Sequence, residues 1–288
     1  MYTLVSGIET MLTNQNWFDT NLRQRFVDKS ADLKFIINPY RFKSMSFDEA
    51  TNFTCQQLGD LNKKIFVAFS GGYDSEYVVR SLHKNSINFV PIIVKCGPTH
   101  ELEYAYETCK ELRLDPTILE ISEKYFLDFF EEHIINKFDS VGYNSVYNMV
   151  AADYVSKIDN SVLISGNHFL TGDGIDFIQD AEIFLGYDWD FYVDYFLEKP
   201  ININFFTYNI EMVYSVIPDS QSTGMIWAIF KHKKFNLKLR NKMRYRYSDE
   251  TENRIQELLK IIKYPNKKIK VALSRKQFFD FFEKYKEI

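Results

Sequence analysis

The sequence predicts an α/β protein: a doubly wound parallel sheet with a helical N-terminal lead-in and a helical C-terminal region. Two observations carry that reading. First, four short runs rich in β-branched and aromatic residues (65–69, 89–95, 117–121 and 161–166) are separated by stretches with apolar residues at helical spacing. Strands alternating with helices in this way build parallel sheets through crossover connections. Second, Ser70-Gly71-Gly72 follows directly on the first run. Paired glycines let the backbone take positive φ and approach a ligand closely. Asp74 or Ser75 can then cap a helix whose apolar face begins at Val78, Val79 and Leu82.

The remaining elements follow in chain order. Trp17, Phe18, Leu22 and Phe26 have helical spacing and predict a first helix, and Phe35-Ile36-Ile37 is a short apolar run. Ser46 and Glu49 form a capping box that starts a helix towards Leu58. Leu102, Ala105, Cys109 and Leu112 share one helical face. So do Phe126, Phe129, Phe130, Ile134 and Phe138, a stripe that reads as core rather than as a binding groove. Val146, Met149, Val150 and Tyr154 mark the helix before the fourth strand. Beyond residue 188 the pattern changes: residues 211–217 suggest a helix, and Asp249-x-x-Glu252 opens another, lined by Ile255, Leu258, Leu259 and Ile262. Phe278, Phe279, Phe282 and Tyr285 give a final apolar stripe. These shifts divide the chain into a lead-in over 1–62, an α/β domain over 63–187 and a helical region over 188–288.

Composition sets the outer bounds. Hydrophobic residues at 45% supply a sizeable core, and 26 Phe with 19 Tyr point to heavily packed helices. A net charge of −4 excludes a strongly basic nucleic-acid binder, a local patch aside. Cys55, Cys96 and Cys109 contain no C-x-x-C pair, so they read as reduced buried thiols rather than as a disulfide framework or a zinc site. No apolar stretch is long enough to span a bilayer and no signal-peptide core opens the chain, so the expected location is cytoplasmic, with no membrane partner.

The loop itself narrows the chemistry. Strand, glycine turn and helix N-terminus together present backbone N–H groups and the positive end of a helix dipole, an anion site suited to phosphates. No lysine follows the glycines as in G-x-x-x-x-G-K-[ST], and no third glycine completes a dinucleotide fingerprint. What stands here is S-G-G-x-D-S, Ser70 to Ser75, directly after a strand. It resembles the signature of the PP-loop family, the N-type ATP pyrophosphatases, whose fold is Rossmann-like. The helix leading into the strand is similar to that of the asparagine-synthetase-like members. The glutaminase domain those enzymes carry is missing, so an ammonia or amine donor is expected to come from elsewhere.

The resemblance implies ATP and Mg²⁺ as ligands. It implies nucleotide binding by Ala68, Phe69, Ser70, Gly71, Gly72, Asp74 and Ser75, by Val94 and Lys95 at the end of the second strand, and by Gly166 and Asn167 after the fourth. Lys95 reads equally as an exposed strand-end lysine. A strand order of 3-2-1-4, also implied by the family, would set Ser70–Ser75 and 166–176 across one crevice at the topological switch point. Mg²⁺ takes one or two carboxylates beside phosphates and water. Asp74 is the first candidate and Asp173 the second, with Asp176 and Asp180 behind them. The alternatives are a helix cap for Asp74 and turn positions for Asp173 and Asp176. His168 is the histidine near this crevice and reads first as structural. Glu182 lies in a stretch, 180–187, similar to one that follows the fourth strand in asparagine synthetases, although an acidic helix surface is the plainer reading.

A basic run over 231–247 mixes cations with aromatics. It fits a solvated helix face, a contact to departing pyrophosphate through Lys238 and Arg240, or nucleic acid, which is the least favoured. The chemistry implied is adenylation: an acceptor oxygen attacks the α-phosphate, pyrophosphate leaves, and an amine-type nucleophile displaces AMP. The thiolating, nitrile-forming and sulfonucleotide-reducing branches depend on cysteines that this chain lacks. The rival from another class is a non-catalytic ATP- or AMP-binding module. The acceptor is not written in the sequence.

Overall fold

The computed structural model describes residues 18–20, 35–37, 41–97, 101–137, 145–166, 170–172, 182–185, 202–215, 235, 247–261, 269–274, 280 and 283–287. The strands are β1 (Phe18–Thr20), β2 (Phe35–Ile37), β3 (Phe42–Lys43), β4 (Lys64–Ala68), β5 (Phe89–Cys96), β6 (Thr117–Ile121), β7 (Ser161–Ser165), β8 (Leu170–Gly172), β9 (Glu182–Leu185), β10 (Asn202–Asn204), β11 (Ile269–Ser274) and β12 (Lys286–Glu287). The helices are α1 (Phe47–Gly59), α2 (Tyr73–Lys84), α3 (Glu101–Leu112), α4 (Glu123–Phe129), α5 (Val146–Val155), α6 (Ile210–Tyr214) and α7 (Asp249–Ile261). A π-helical segment, Phe130–Lys137, continues α4, and a 3₁₀ turn, Phe205–Thr207, precedes α6.

Five strands form the main sheet in the order β10-β7-β4-β5-β6, with every neighbouring pair parallel. The predicted order 3-2-1-4 is the run β6-β5-β4-β7. Strand alternation splits the core into two layers, one on each face of the sheet. Phe66, Ile92 and Leu163 pack with α4, α5 and α7 on one face. Ile65, Val67, Ile93, Val162 and Ile164 pack with α1, α2 and α3 on the other. Burial on both faces explains why these strands read as continuous apolar runs. The stripe of Phe126, Phe129, Phe130 and Ile134 is buried core, as its spacing predicts. The Ser46–Glu49 capping box is present: Ser46 N–H donates to Glu49 Oε2 at 2.9 Å, and Glu49 N–H to Ser46 Oγ at 3.4 Å.

Several local expectations change. Phe18 belongs to no helix; Phe18–Thr20 pairs antiparallel with Phe35–Ile37, a partner that helical spacing cannot reveal. Glu182 stands on a strand, since Glu182–Leu185 pairs with β8 and β11. Residues 202–204, within the segment read as helical, add the fifth strand to the sheet beside β7. Two further strands, β11 and β12, lie in the same C-terminal region. The start of α7 is capped from a distance. Ser248 Oγ accepts from Thr251 N–H at 3.3 Å, and Glu123 of α4 accepts from both the N–H and the hydroxyl of Ser248. Glu123 thus takes the place that the pattern gave to Glu252. Burial works against the ionised Glu123, but the Ser248 and Thr251 hydrogen bonds outweigh it and hold the carboxyl below its ordinary value.

Glu211, in the first turn of α6, is 6% exposed, and its Oε2 has no hydrogen-bond partner among the described residues. Burial pushes its carboxyl above the ordinary value of 4.5. A raised folded-state value means that the protonated form favours the fold. That contribution is complete below 4.5 and is lost as pH rises through the folded value. Glu211→Gln is therefore expected to raise Tm at pH 7 to 8, with the gain over wild type vanishing below pH 4.5. Melting curves across that range check it, and a gain independent of pH would refute it.

Candidate functional site

The site is built where β4 ends. Phe69 N–H donates to Ile92 O at 2.8 Å, which ties the strand's exit to β5. Gly71 takes φ 85°, a region that favours glycine. Gly72 has φ −70° and is itself the N-cap of α2, so neither Asp74 nor Ser75 caps the helix as their residue types suggest. Both lie inside the first turn. Ser70 Oγ accepts from Gly72 N–H at 3.3 Å and lies 3.2 Å from Ser75 Oγ, whose hydroxyl donates to Gly72 O at 3.0 Å. The two hydroxyls thus lock the turn. The first turn of any helix leaves N–H groups with no intrahelical acceptor, and the dipole adds positive potential there.

The end of β7 presses on this turn. A Cβ on Gly166 would stand 2.9 Å from the Asp74 carbonyl carbon and 3.0 Å from Ser75 N. The backbone at the end of β7 therefore packs directly against the backbone of the first turn of α2. A cleft of about 260 Å³ opens beside it, lined by Ala68, Phe69, Ser70, Gly72, Tyr73, Asp74, Ser75, Ile92, Val94, Leu102, Tyr147, Asn148, Ala151 and Gly166. Strand, glycine turn and helix stand as the PP-loop pattern requires.

No protein-family model matches this chain, and no curated protein does. Among solved structures it is similar to an NH3-dependent NAD synthetase from Campylobacter jejuni in complex with the nitrate ion, at 19% identity and TM-score 0.40, over 85% of this chain and 99% of that one. It is also similar to an NMN synthetase from Francisella tularensis, at 13% identity and TM-score 0.38, over 80% and 99%. A third is a U34-tRNA thiolase from Methanococcus maripaludis with its [4Fe-4S] cluster, at 14% identity and TM-score 0.42, over 83% and 79%.

Of the residues singled out in the sequence, Ala68, Phe69, Ser70, Gly72, Asp74, Ser75, Val94 and Gly166 line one cleft. Lys95 does not; its Nζ bonds Glu120 Oε1 of β6 at 2.8 Å, the cross-strand partner in register. Asn167, His168, Asp173, Asp176, Asp180, Lys238 and Arg240 lie outside the described residues. Sequence reasoning missed the wall given by α5. Its helical stripe was read from the core-facing side, whereas Tyr147, Asn148 and Ala151 also reach the cleft at the helix's N-terminal end. Tyr147 hydroxyl lies 2.7 Å from that of Tyr247, just ahead of α7.

Electrostatically the cleft is unfinished. Among its described walls Asp74 is the charged side chain, and no Lys or Arg stands there. Asp74 alone fits the carboxylate demand of Mg²⁺ held mainly by phosphates and water. Among the described residues no cluster of three His, Cys, Asp or Glu gathers. Burial pushes the Cys96 and Cys109 thiols up to about 11, so both stay protonated and inert near neutral pH. No helix among the described residues is long and apolar enough to cross a membrane.

Proposed function

We propose that this chain is a PP-loop ATP pyrophosphatase that transfers AMP from ATP to an acceptor oxygen. The observation that carries the reading is the S-G-G-x-D-S turn, opening α2 at the switch point between β4 and β7 with its hydroxyls turned inward. The acceptor oxygen attacks the α-phosphorus, the bond to the bridging oxygen breaks, and pyrophosphate leaves with the electron pair. In this reading the N–H groups of the loop and first turn hold the β- and γ-phosphates, and they bind the developing pyrophosphate charge more tightly than bound ATP. The Ser70 and Ser75 hydroxyls, which brace the turn through each other and Gly72 O, would rotate outward to donate to the same oxygens once phosphate binds. Val94 and Ala68 border the base, and Gly166 and Asn167 border the α-phosphate. Mg²⁺ would neutralise phosphate charge, with Asp74 and then Asp173 as its protein ligands.

A triphosphate brings far more negative charge than these walls offset, so a cation from elsewhere in the chain belongs in this reading. Lys238 and Arg240 are assigned that role. In sequence they fall between two anchors on the body: Phe235, whose ring packs 5.4 Å from Tyr77, and Tyr247, bonded to the cleft residue Tyr147. Ammonia or an amine then attacks the activated carbon of the adenylated acceptor, the carbon–oxygen bond to the phosphate breaks and AMP leaves, which completes an amide- or amidine-type ligation.

Two measurements test this. ATP with Mg²⁺ at about a hundred times Kd should add about 2.7 kcal/mol to wild-type stability and nothing to Gly72→Asp. Gly72 has an ordinary φ, so the variant tests charge at the anion site rather than backbone strain. Acceptor-dependent release of AMP and pyrophosphate should disappear in Asp74→Ala. ATP binding with no pyrophosphate release from any acceptor would favour a non-catalytic nucleotide-binding module.

A further inference from the structure

The cleft divides by chemistry. Ser70, Asp74 and Ser75 stand at its loop end. The rest is an apolar slot between the side chains of Ala68, Ile92 and Val94 on the sheet and Tyr147 and Ala151 on α5. Tyr147 spends its hydroxyl on Tyr247. Asn148 breaks the pattern. It is half-buried beside the slot, and its carboxamide has no hydrogen-bond partner among the described residues. A polar group set against an apolar slot needs water or a ligand to satisfy it.

We infer that Asn148 is a specificity-determining residue that hydrogen-bonds the edge of the base and selects adenine over guanine. The inference rests on ATP being the ligand of this loop. The slot is lined by apolar side chains, which suits a heterocycle, and the phosphates are already provided for at the other end. A neutral carboxamide adds no charge for phosphate, but it sets an acceptor beside donors. On its N6/N7 edge adenine presents an amino donor beside a ring-nitrogen acceptor, the complement of that pair; on the same edge guanine presents two acceptors, O6 and N7, which a carboxamide cannot satisfy in either orientation.

The test is calorimetric titration of wild type, Asn148→Ala and Asn148→Leu with Mg²⁺ complexes of ATP, GTP and inorganic tripolyphosphate. Wild type should prefer ATP to GTP. Both variants should lose about 5- to 150-fold in ATP affinity, the range of a bidentate base contact, and should bind ATP and GTP alike. Their tripolyphosphate affinity should stay at the wild-type value, which also shows that they are folded. Two results overturn the inference while leaving the ATP reading intact: an unchanged ATP-to-GTP ratio in the variants, or an equal loss for ATP and tripolyphosphate. A wild type that binds tripolyphosphate but no ATP removes both together.

Discussion

Gly166→Ala is expected to weaken ATP binding at least tenfold and to cut pyrophosphate release about a hundredfold. The added methyl would sit 2.9 Å from the Asp74 carbonyl carbon, 3.0 Å from its oxygen and 3.0 Å from Ser75 N. All three are backbone atoms of the first turn of α2, so no side-chain rotation relieves the contact. Either β7 or the turn must move by several tenths of an ångström, and either shift changes how the loop stands against β7. A displacement approaching 1 Å in a catalytic constellation costs on the order of 10²-fold. Overpacking should also lower stability by about 1–3 kcal/mol. Gly59→Ala is the matched control. Its methyl would come even closer, 2.8 Å, but to Ile87 Cδ1, the end of a side chain that can turn away. That variant should bind ATP like wild type. Wild-type ATP affinity and pyrophosphate release in Gly166→Ala would show that the β7 contact does not set the loop.

The contrast between these glycines bears on what a sequence can reveal. The loop at 70–75 was legible because its chemistry is local: six consecutive positions and the runs on either side carry it. The three inner strands, β7, β4 and β5, were legible because strands buried on both faces read as near-continuous apolar runs, and β6, at the sheet's edge, because it is a short β-branched run after Asp115-Pro116. Strand order came from resemblance, since periodicity holds no information about neighbours. What could not be read depends on partners distant in the chain. Glu123 caps α7 from 125 residues away, and β10 joins β7 through three residues with no run of their own. Phe18–Thr20 is a strand only because Phe35–Ile37 lies beside it. The α5 wall of the cleft stayed hidden for another reason. A helix turned towards a core on one side can present its first turn to a site on another, and a stripe reports the larger area.

Arg80→Met should destabilise the protein by about 3 kcal/mol, measured by denaturant titration. Glu76, on the first turns of α2, is 1% exposed. Arg80 Nε donates to its Oε1 at 2.8 Å, one helical turn on, and the Thr108 hydroxyl of α3 donates at 3.3 Å. The other edge of the guanidinium forks onto Glu111, with bonds of 2.8 and 2.7 Å, so one arginine ties α2 to α3. These carboxylates push Arg80 further above its already high value, Glu111 most of all. Methionine keeps the stem's bulk but removes the guanidinium bonded to the buried Glu76 carboxylate. Opening a buried pair from one side costs about 3–5 kcal/mol, and the lower end applies because the Arg80 side chain is 16% exposed. Glu111 is 60% exposed, so Glu111→Gln should cost less than about 1 kcal/mol despite losing the shorter bond. The decisive comparison is the double variant Glu76→Gln/Arg80→Met. If the loss in Arg80→Met comes from the buried Glu76 charge losing its cation, removing that charge should recover much of it, with a coupling of about 1–3 kcal/mol. Additive losses would mean that Arg80 acts through packing and its bridge to α3. Because α2 carries the anion site on its first turn, the same titrations repeated with ATP would show whether this anchor holds the loop or only the helix behind it.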